Sequence, residues 1–232
     1  MTVFRSIDFE ATGIPDETDK HALVEIGWCD VEQGIIGRPF SLLCNPLRPI
    51  PHESMAVHHI TDAMVEHSPP WTLALDPNGL NTLGSPDYFV SHNADFERAF
   101  LTTSIPFICT YKVAVRLWPD ASQHGLQFLR YHLDLAADAE LASPPHRAGP
   151  DAYLGALLLQ RILAEATASV DDMVRWSSGP ALLPRINFGK HRGAKWEDVP
   201  FDYLEWVAYK SDMDRDAKAN ARHHLNLRSA AA

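Results

Sequence analysis

Two carboxylates spaced i, i+2 inside an apolar run constrain this chain more than any other feature. The run is Val3-Phe4-Arg5-Ser6-Ile7-Asp8-Phe9-Glu10-Ala11, followed by Thr12-Gly13. Read as a strand, it sends Asp8 and Glu10 to one face and Ile7 and Phe9 to the other. Two carboxylates fixed side by side repel unless positive charge lies between them. A divalent cation is the simplest such charge. An isolated Asp-x-Glu is more often an edge strand with both acids in water, so the rest of the chain has to decide.

The chain has 232 residues, 46% of them hydrophobic and 22% charged. That supports one full core, or one core with a small appendage. No apolar run reaches the ~20 residues of a membrane helix. Met1 to Arg5 enters strand pattern without a secretory signal. Cys29, Cys44 and Cys109 are far apart and read as reduced core thiols. The expectation is a cytoplasmic protein with no membrane partner.

The net charge is −10, which argues against non-specific wrapping of long duplex nucleic acid. The charge is unevenly distributed. From Arg185 to Arg228 there are 9 basic and 7 acidic residues, against 11 basic and 23 acidic elsewhere. A metal site accounts for some of those acids.

Period-two patterning predicts strands at Val3–Glu10, His21–Trp28 and Phe40–Cys44, with a hairpin connection through Gln33-Gly34-Ile35-Ile36-Gly37. Short strands follow at Tyr88–Val90 and Phe107–Cys109. Asn93 reads as the N-cap of a helix from Ala94 to Leu101, which sets Asp95 in its first turn. Helices are expected near His52–Val57, from Thr110 to Trp118, around Leu126–Leu133 and from Asp151 to about Glu165. That last one is apolar nearly all round, so it should be buried. Ser68 to Gly84 reads as loop and broken helix. Residues 169–184, centred on Ser177-Ser178-Gly179-Pro180, read as a linker between an N-terminal domain (1–168) and a small C-terminal unit (185–228).

Three segments thus offer acids at constrained places: Asp8 and Glu10 on a strand, and Asp95 and Asp151 at helix starts. His146 lies five residues before Asp151. Each alone has a plain structural explanation, such as complementing a helix dipole. As an ordered set, Ile7-Asp8-Phe9-Glu10-Ala11-Thr12-Gly13, Ser91-His92-Asn93-Ala94-Asp95-Phe96 and His146-Arg147-Ala148-Gly149-Pro150-Asp151 resemble the DEDD superfamily of 3′→5′ exonucleases, in its histidine-bearing branch. His58-His59-Ile60-Thr61 is similar to a further element of proofreading-type members.

The resemblance implies an α/β, ribonuclease-H-like fold with a mixed central sheet flanked by helices. It implies Asp8, Glu10, Asp95 and Asp151 as carboxylates for two Mg²⁺, which Mn²⁺ can replace, and His146 as general base. It also implies nucleic-acid contacts at Ala11, Thr12, His58 and Asn93. The chemistry is consistent, because hard cations prefer carboxylate oxygens and a pair about 3.5–4 Å apart clamps a phosphodiester. Ala11 departs from the threonine or serine of many relatives, and Gly149-Pro150 stiffens the loop after His146.

In the C-terminal unit, Asn187-Phe188-Gly189-Lys190-His191-Arg192-Gly193 brackets basic groups with glycines. Lys190 and Arg192 are candidate phosphate contacts; a plain turn with solvated charges is the alternative. With Trp196–Val199 and Phe201–Trp206, this stretch resembles the C-terminal module of the exonuclease X group, an appendage to the catalytic fold. Its aromatic rings are expected mostly in that small unit's own core. The expected activity is metal-dependent release of nucleoside 5′-monophosphates from DNA 3′ ends, single-stranded or frayed, with a homodimer as an option. The rivals are an RNA exonuclease using the same five residues and a catalytically silent nucleic-acid-binding module.

Overall fold

The computed structural model describes residues 1–165 and 167–230. The acidic run forms β1 (Val3–Ala11), the middle of a six-stranded mixed sheet. β2 (Leu23–Glu32) pairs antiparallel with it, setting Asp8 opposite Gly27 and Glu10 opposite Glu25. β3 (Ile35–Ile36) and β4 (Phe40–Leu43) both pair antiparallel with β2. The connection expected to be a plain hairpin therefore contains a short strand of its own, after a Gln33-Gly34 turn with positive φ at both residues. Across β1, β5 (Tyr88–Ser91) and then β6 (Phe107–Cys109) run parallel.

Three short helices, α1 (His52–His58), α2 (Asp62–Val65) and α3 (Trp71–Leu75), fill the passage from β4 to β5. α4 (Asp95–Phe100) follows β5, and α5 (Thr110–Leu117) follows β6. α6 (Leu126–His132) leads to the long α7 (Ala148–Glu165), whose side chains are buried over most of its length.

Alternation along β1 divides the core. Ile7, Phe9 and Ala11 join one apolar layer with Ile26, Phe89 and Phe107. Ser6, Asp8 and Glu10 point to the other side, where α7 crosses. Two glycines set that crossing. A Cβ on Gly27 would lie 2.1 Å from the Ala148 backbone, and one on Gly155 would lie 2.5 Å from Ser6 Oγ. Their bare backbones let α7 approach β1 and β2 closely enough to bring its first turn beside the strand acids. The three cysteines are buried and free, as expected, and burial pushes the Cys29 and Cys44 thiols up to about 12.

The stretch read as a linker is largely helix. α8 (Val170–Ser178) opens on a Ser169/Asp172 capping box and packs on β6 and α5. Ser177 Oγ accepts the Cys109 N–H at 2.6 Å. A Ser-Ser-Gly-Pro string marks a helix C-terminus as readily as a flexible tether.

The C-terminal unit is built from α9 (Phe201–Tyr209) and α10 (Arg215–Ala230), packed on each other over Ile186, Trp196, Val199 and Leu204. Trp196 is core, as expected, but Phe201, Trp206 and Tyr209 are exposed. The Asp216 carboxylate and the Asn220 side-chain amide oxygen accept the N–H groups of Ala181 and Leu183, tying α10 to the connecting segment.

Candidate active site

β1 contributes Asp8 and Glu10, and the first turn of α7 contributes Asp151. One carboxylate oxygen from each lies within 4.8 Å of the others. Burial and mutual repulsion act together here. Desolvation first, then Glu10, Asp151 and Glu97, raise Asp8 well above the carboxylate range. Desolvation, then Asp151 and Glu25, push Glu10 up to about 8. Asp151 is also raised by burial, offset by the donors on its oxygens. Those donors are Gln127 Nε2 on Oδ1 at 2.9 Å and the His146 N–H on Oδ2 at 2.8 Å. A set of hard oxygen donors so closely packed fits a divalent cation, whose charge would remove the repulsion.

His146 sits at the rim, solvent-exposed, in the left-handed region at φ 59°. Its backbone is tied to Asp151 while its imidazole is free. The loop behind it is clamped by Arg147, which donates Nε and Nη2 to the buried Glu25 carboxylate, both at 2.7 Å. The Ala148 N–H adds a third donor at 3.0 Å. Since Glu25 lies directly across from Glu10 on β2, this clamp registers the His146 loop and the start of α7 against the strand acids. Neither Glu25, Arg147 nor Gln127 was anticipated. The Glu25–Arg147 pairing spans 122 residues and leaves no local pattern.

Asp95 does not join the cluster. Its side chain is 44% exposed and paired with Lys112 at 2.7 Å and Arg98 at 3.3 Å. The acid that α4 turns inward is Glu97, 2% exposed, with Oε2 lacking any hydrogen-bond partner. Burial pushes Glu97 up to about 8, against the lowering effect of the Ser91 hydroxyl. Its charge acts on both Asp8 and Glu10. Positions 95 and 97 are ~200° apart around a helix, so only one of them can face the sheet. The signal was present in the sequence. Glu97 shares its face with Ala94 and Leu101, while Asp95 shares its own with Arg98.

The expected nucleic-acid contacts divide. His58 is 2% exposed and its Nδ1 accepts the Ile60 N–H at 3.0 Å; burial lowers its pKa. Its ring is packed beside Ala11 at the end of β1. Thr12, also buried, accepts the Ala22 N–H on Oγ1 at 3.1 Å, and the Ala11 side chain is buried too. Asn93 is exposed with φ 80°, one residue ahead of the actual cap of α4, Ala94, and makes no capping bond. Lys190 lies over the Tyr203 ring at 5.2 Å. Arg192 lines a groove against residues 121–124. No helix among the described residues is long and apolar enough to cross a membrane.

A mixed sheet with acids on its central strand, faced by an acid from the helix laid over it, is the architecture of the ribonuclease-H-like exonucleases. The nuclease domain of 3′hExo, a DEDDh family member bound to rAMP, superposes with a TM-score of 0.55 at 18% identity, covering 70% of this chain and 92% of that one. The Exonuclease (RNase_T) family model matches residues 6–159, and the chain belongs to that family. It is 33% identical to exodeoxyribonuclease 10 of Escherichia coli K12, over 96% of this chain and 99% of the relative. A solved exonuclease X in complex with 5′ overhanging duplex DNA matches with a TM-score of 0.63 at 33% identity, covering 75% of this chain and 99% of that chain.

Proposed function

We propose that this chain is a 3′→5′ exonuclease that releases nucleoside 5′-monophosphates from DNA 3′ ends, single-stranded or frayed. The observation that carries the reading is the convergence of Asp8, Glu10 and Asp151, with one carboxylate oxygen from each within 4.8 Å of the others. The preference for DNA is supported by the name of the E. coli relative and by the DNA bound to the exonuclease X neighbour.

Asp8, Glu10 and Asp151 would hold the metal, two Mg²⁺ or Mn²⁺ in their place, with Glu97 as the fourth carboxylate in the position first assigned to Asp95. Bound cations would polarise the phosphodiester and lower the pKa of the attacking water. His146 accepts the proton from that water, its imidazole free at the rim while its backbone stays fixed to Asp151. Gln127 holds the Asp151 carboxylate in orientation. Arg147 and Glu25 keep the loop from drifting. Lys190 and Arg192 are proposed to hold substrate phosphates, which positions the strand without reading its sequence.

The test is degradation of end-labelled single-stranded DNA, duplex DNA and RNA of one sequence, with Mg²⁺, with Mn²⁺ and with chelator. The expected result is metal-dependent loss of nucleotides from DNA 3′ ends. Faster loss from RNA would move the substrate to RNA. No metal-dependent loss from any of the three would overturn the reading.

A further inference from the structure

The groove between loop 121–124 and the turn 187–193 has a basic lining in an acidic protein. It encloses about 550 Å³, within the ~300–1,000 Å³ usual for ligand sites. Arg185 and Arg192 line it, with Tyr111, Gln123 and His124, and among the described residues no carboxylate does. For a chain of net charge −10, an acid-free groove with two arginines is a local inversion of the field.

Both walls are held in place. On one side, Ile186 and Gly193 close the turn by a backbone bond at 2.7 Å, and Arg185 Nη1 donates to the Gly193 carbonyl at 2.9 Å. Gly189, at φ 62°, packs where a Cβ would meet Tyr203 Oη at 2.3 Å. On the other side, His92 donates Nε2–H to the His124 carbonyl at 2.8 Å, while its Nδ1 faces Thr110 Oγ1 at 3.0 Å. His92 lies in the segment that leads into α4 and Glu97. Immediately beyond the same loop, α6 supplies Gln127 to Asp151. The floor of the groove is therefore tied to both elements that bring acids to β1. The neighbouring cleft beyond Tyr111 is lined by Asp95, Asp214 and Asp216 beside Arg215, and its acids repel a polyanion.

We infer that this groove receives the single strand 5′ of the nucleotide held at the acidic cluster, with Arg192 and Arg185 on its phosphates and the Tyr111 and His124 rings against its bases. The inference rests on the nuclease reading and adds the path of the substrate. Ring faces tolerate any base and arginines hold any phosphate, so the groove is indifferent to sequence. It makes the C-terminal unit one wall of the substrate channel.

The experiment compares kcat/KM for a twelve-nucleotide and a two-nucleotide single-stranded DNA, the longer one supplying the 5′ strand that the inference places in the groove. The ratio of the two should fall by about tenfold in Arg192→Glu and be largely restored in Arg192→Lys. Arg161→Glu, the same charge reversal on a remote part of α7, should leave the ratio unchanged. The log–log salt slope for binding the longer DNA should shallow by about 0.7 in Arg192→Glu, the share of one phosphate contact on a single strand. An active wild type with an unchanged ratio in Arg192→Glu, at unchanged Tm, overturns the groove alone. A wild type that degrades neither length overturns the DNA-exonuclease reading and the groove with it.

Discussion

Metal-free protein should lose stability as pH rises from 6.5 to 8.5. Glu10 and Glu97 are each pushed, chiefly by burial, from the ordinary 4.5 up to about 8. In the unfolded chain both return to the ordinary value. The folded state thus binds more protons than the unfolded state across this interval, and stability falls with pH. For such a group the contribution is fully present below 4.5 and lost as pH passes through 8. Between pH 6.5 and 8.5 the loss from one such glutamate is about 2 kcal/mol. In a chain of this size that lowers Tm by about 4–8 °C. His92 acts in the opposite sense, since burial depresses it to about 4. Its stabilisation rises with pH but is largely complete by the ordinary histidine value of 6.5, which is why the window starts there. The assay is a thermal scan in chelator at several pH values, for wild type and Glu10→Gln, repeated with excess Mg²⁺ or Mn²⁺. Wild type in chelator should show the falling Tm, and Glu10→Gln a shallower one. Metal should abolish the fall, because binding displaces the shared protons. A chelated wild type whose Tm is flat or rises over this interval would refute the reasoning.

His146→Gln should keep Tm and metal binding and lower turnover by about 10²–10⁴-fold, the usual range for a lost proton acceptor, read from single-turnover rates. Asp8→Asn should do at least as much harm, with loss of metal-induced stabilisation in the same scan. Glu97→Gln should lower activity far more than Asp95→Asn; equal loss from both would return Asp95 to the site. Arg147→Ala leaves the Glu25 carboxylate, 1% exposed, without its partner, and should cost about 3–5 kcal/mol by denaturant unfolding.

The sheet was legible because its signals are local. Alternation in Val3–Ala11 reports which side chains share a face, and β1 sends Asp8 and Glu10 to one face and Ile7 and Phe9 to the other. The continuous apolar pattern of Asp151–Glu165 reports a buried helix, and α7 is buried over most of its length, beginning three residues earlier at Ala148. What escaped was non-local or ambiguous in composition. Three donors gather on Glu25 from Arg147 and Ala148, on a distant strand-to-helix crossing. Exposure of Trp206 and Tyr209 on α9 was also hidden, since the core of the small unit is satisfied by Trp196, Val199, Leu204 and Val207 from the other face.

Asp95 and Glu97 differ in how the fold treats them. Both lie in the acidic segment after Asn93, but a helix sorts its residues by angle. Once α4 starts at Asp95, the first-turn position favours a negative charge there through the helix dipole, whatever its function. Asp95 satisfies that preference and is further neutralised by Lys112, which is itself 2% exposed. A carboxylate already paired at 2.7 Å with a buried ammonium has little to offer a metal, and pulling it away would strand the lysine charge. Glu97 is the reverse case: buried, without a hydrogen-bond partner on Oε2, and pushed up to about 8 chiefly by burial. Burial outweighs the lowering effects of Ser91 and Arg98 on its pKa, and a cation at Asp8, Glu10 and Asp151 would lower it further. Of two acids on one helix, the one left short of partners in the interior is the stronger candidate for the metal site.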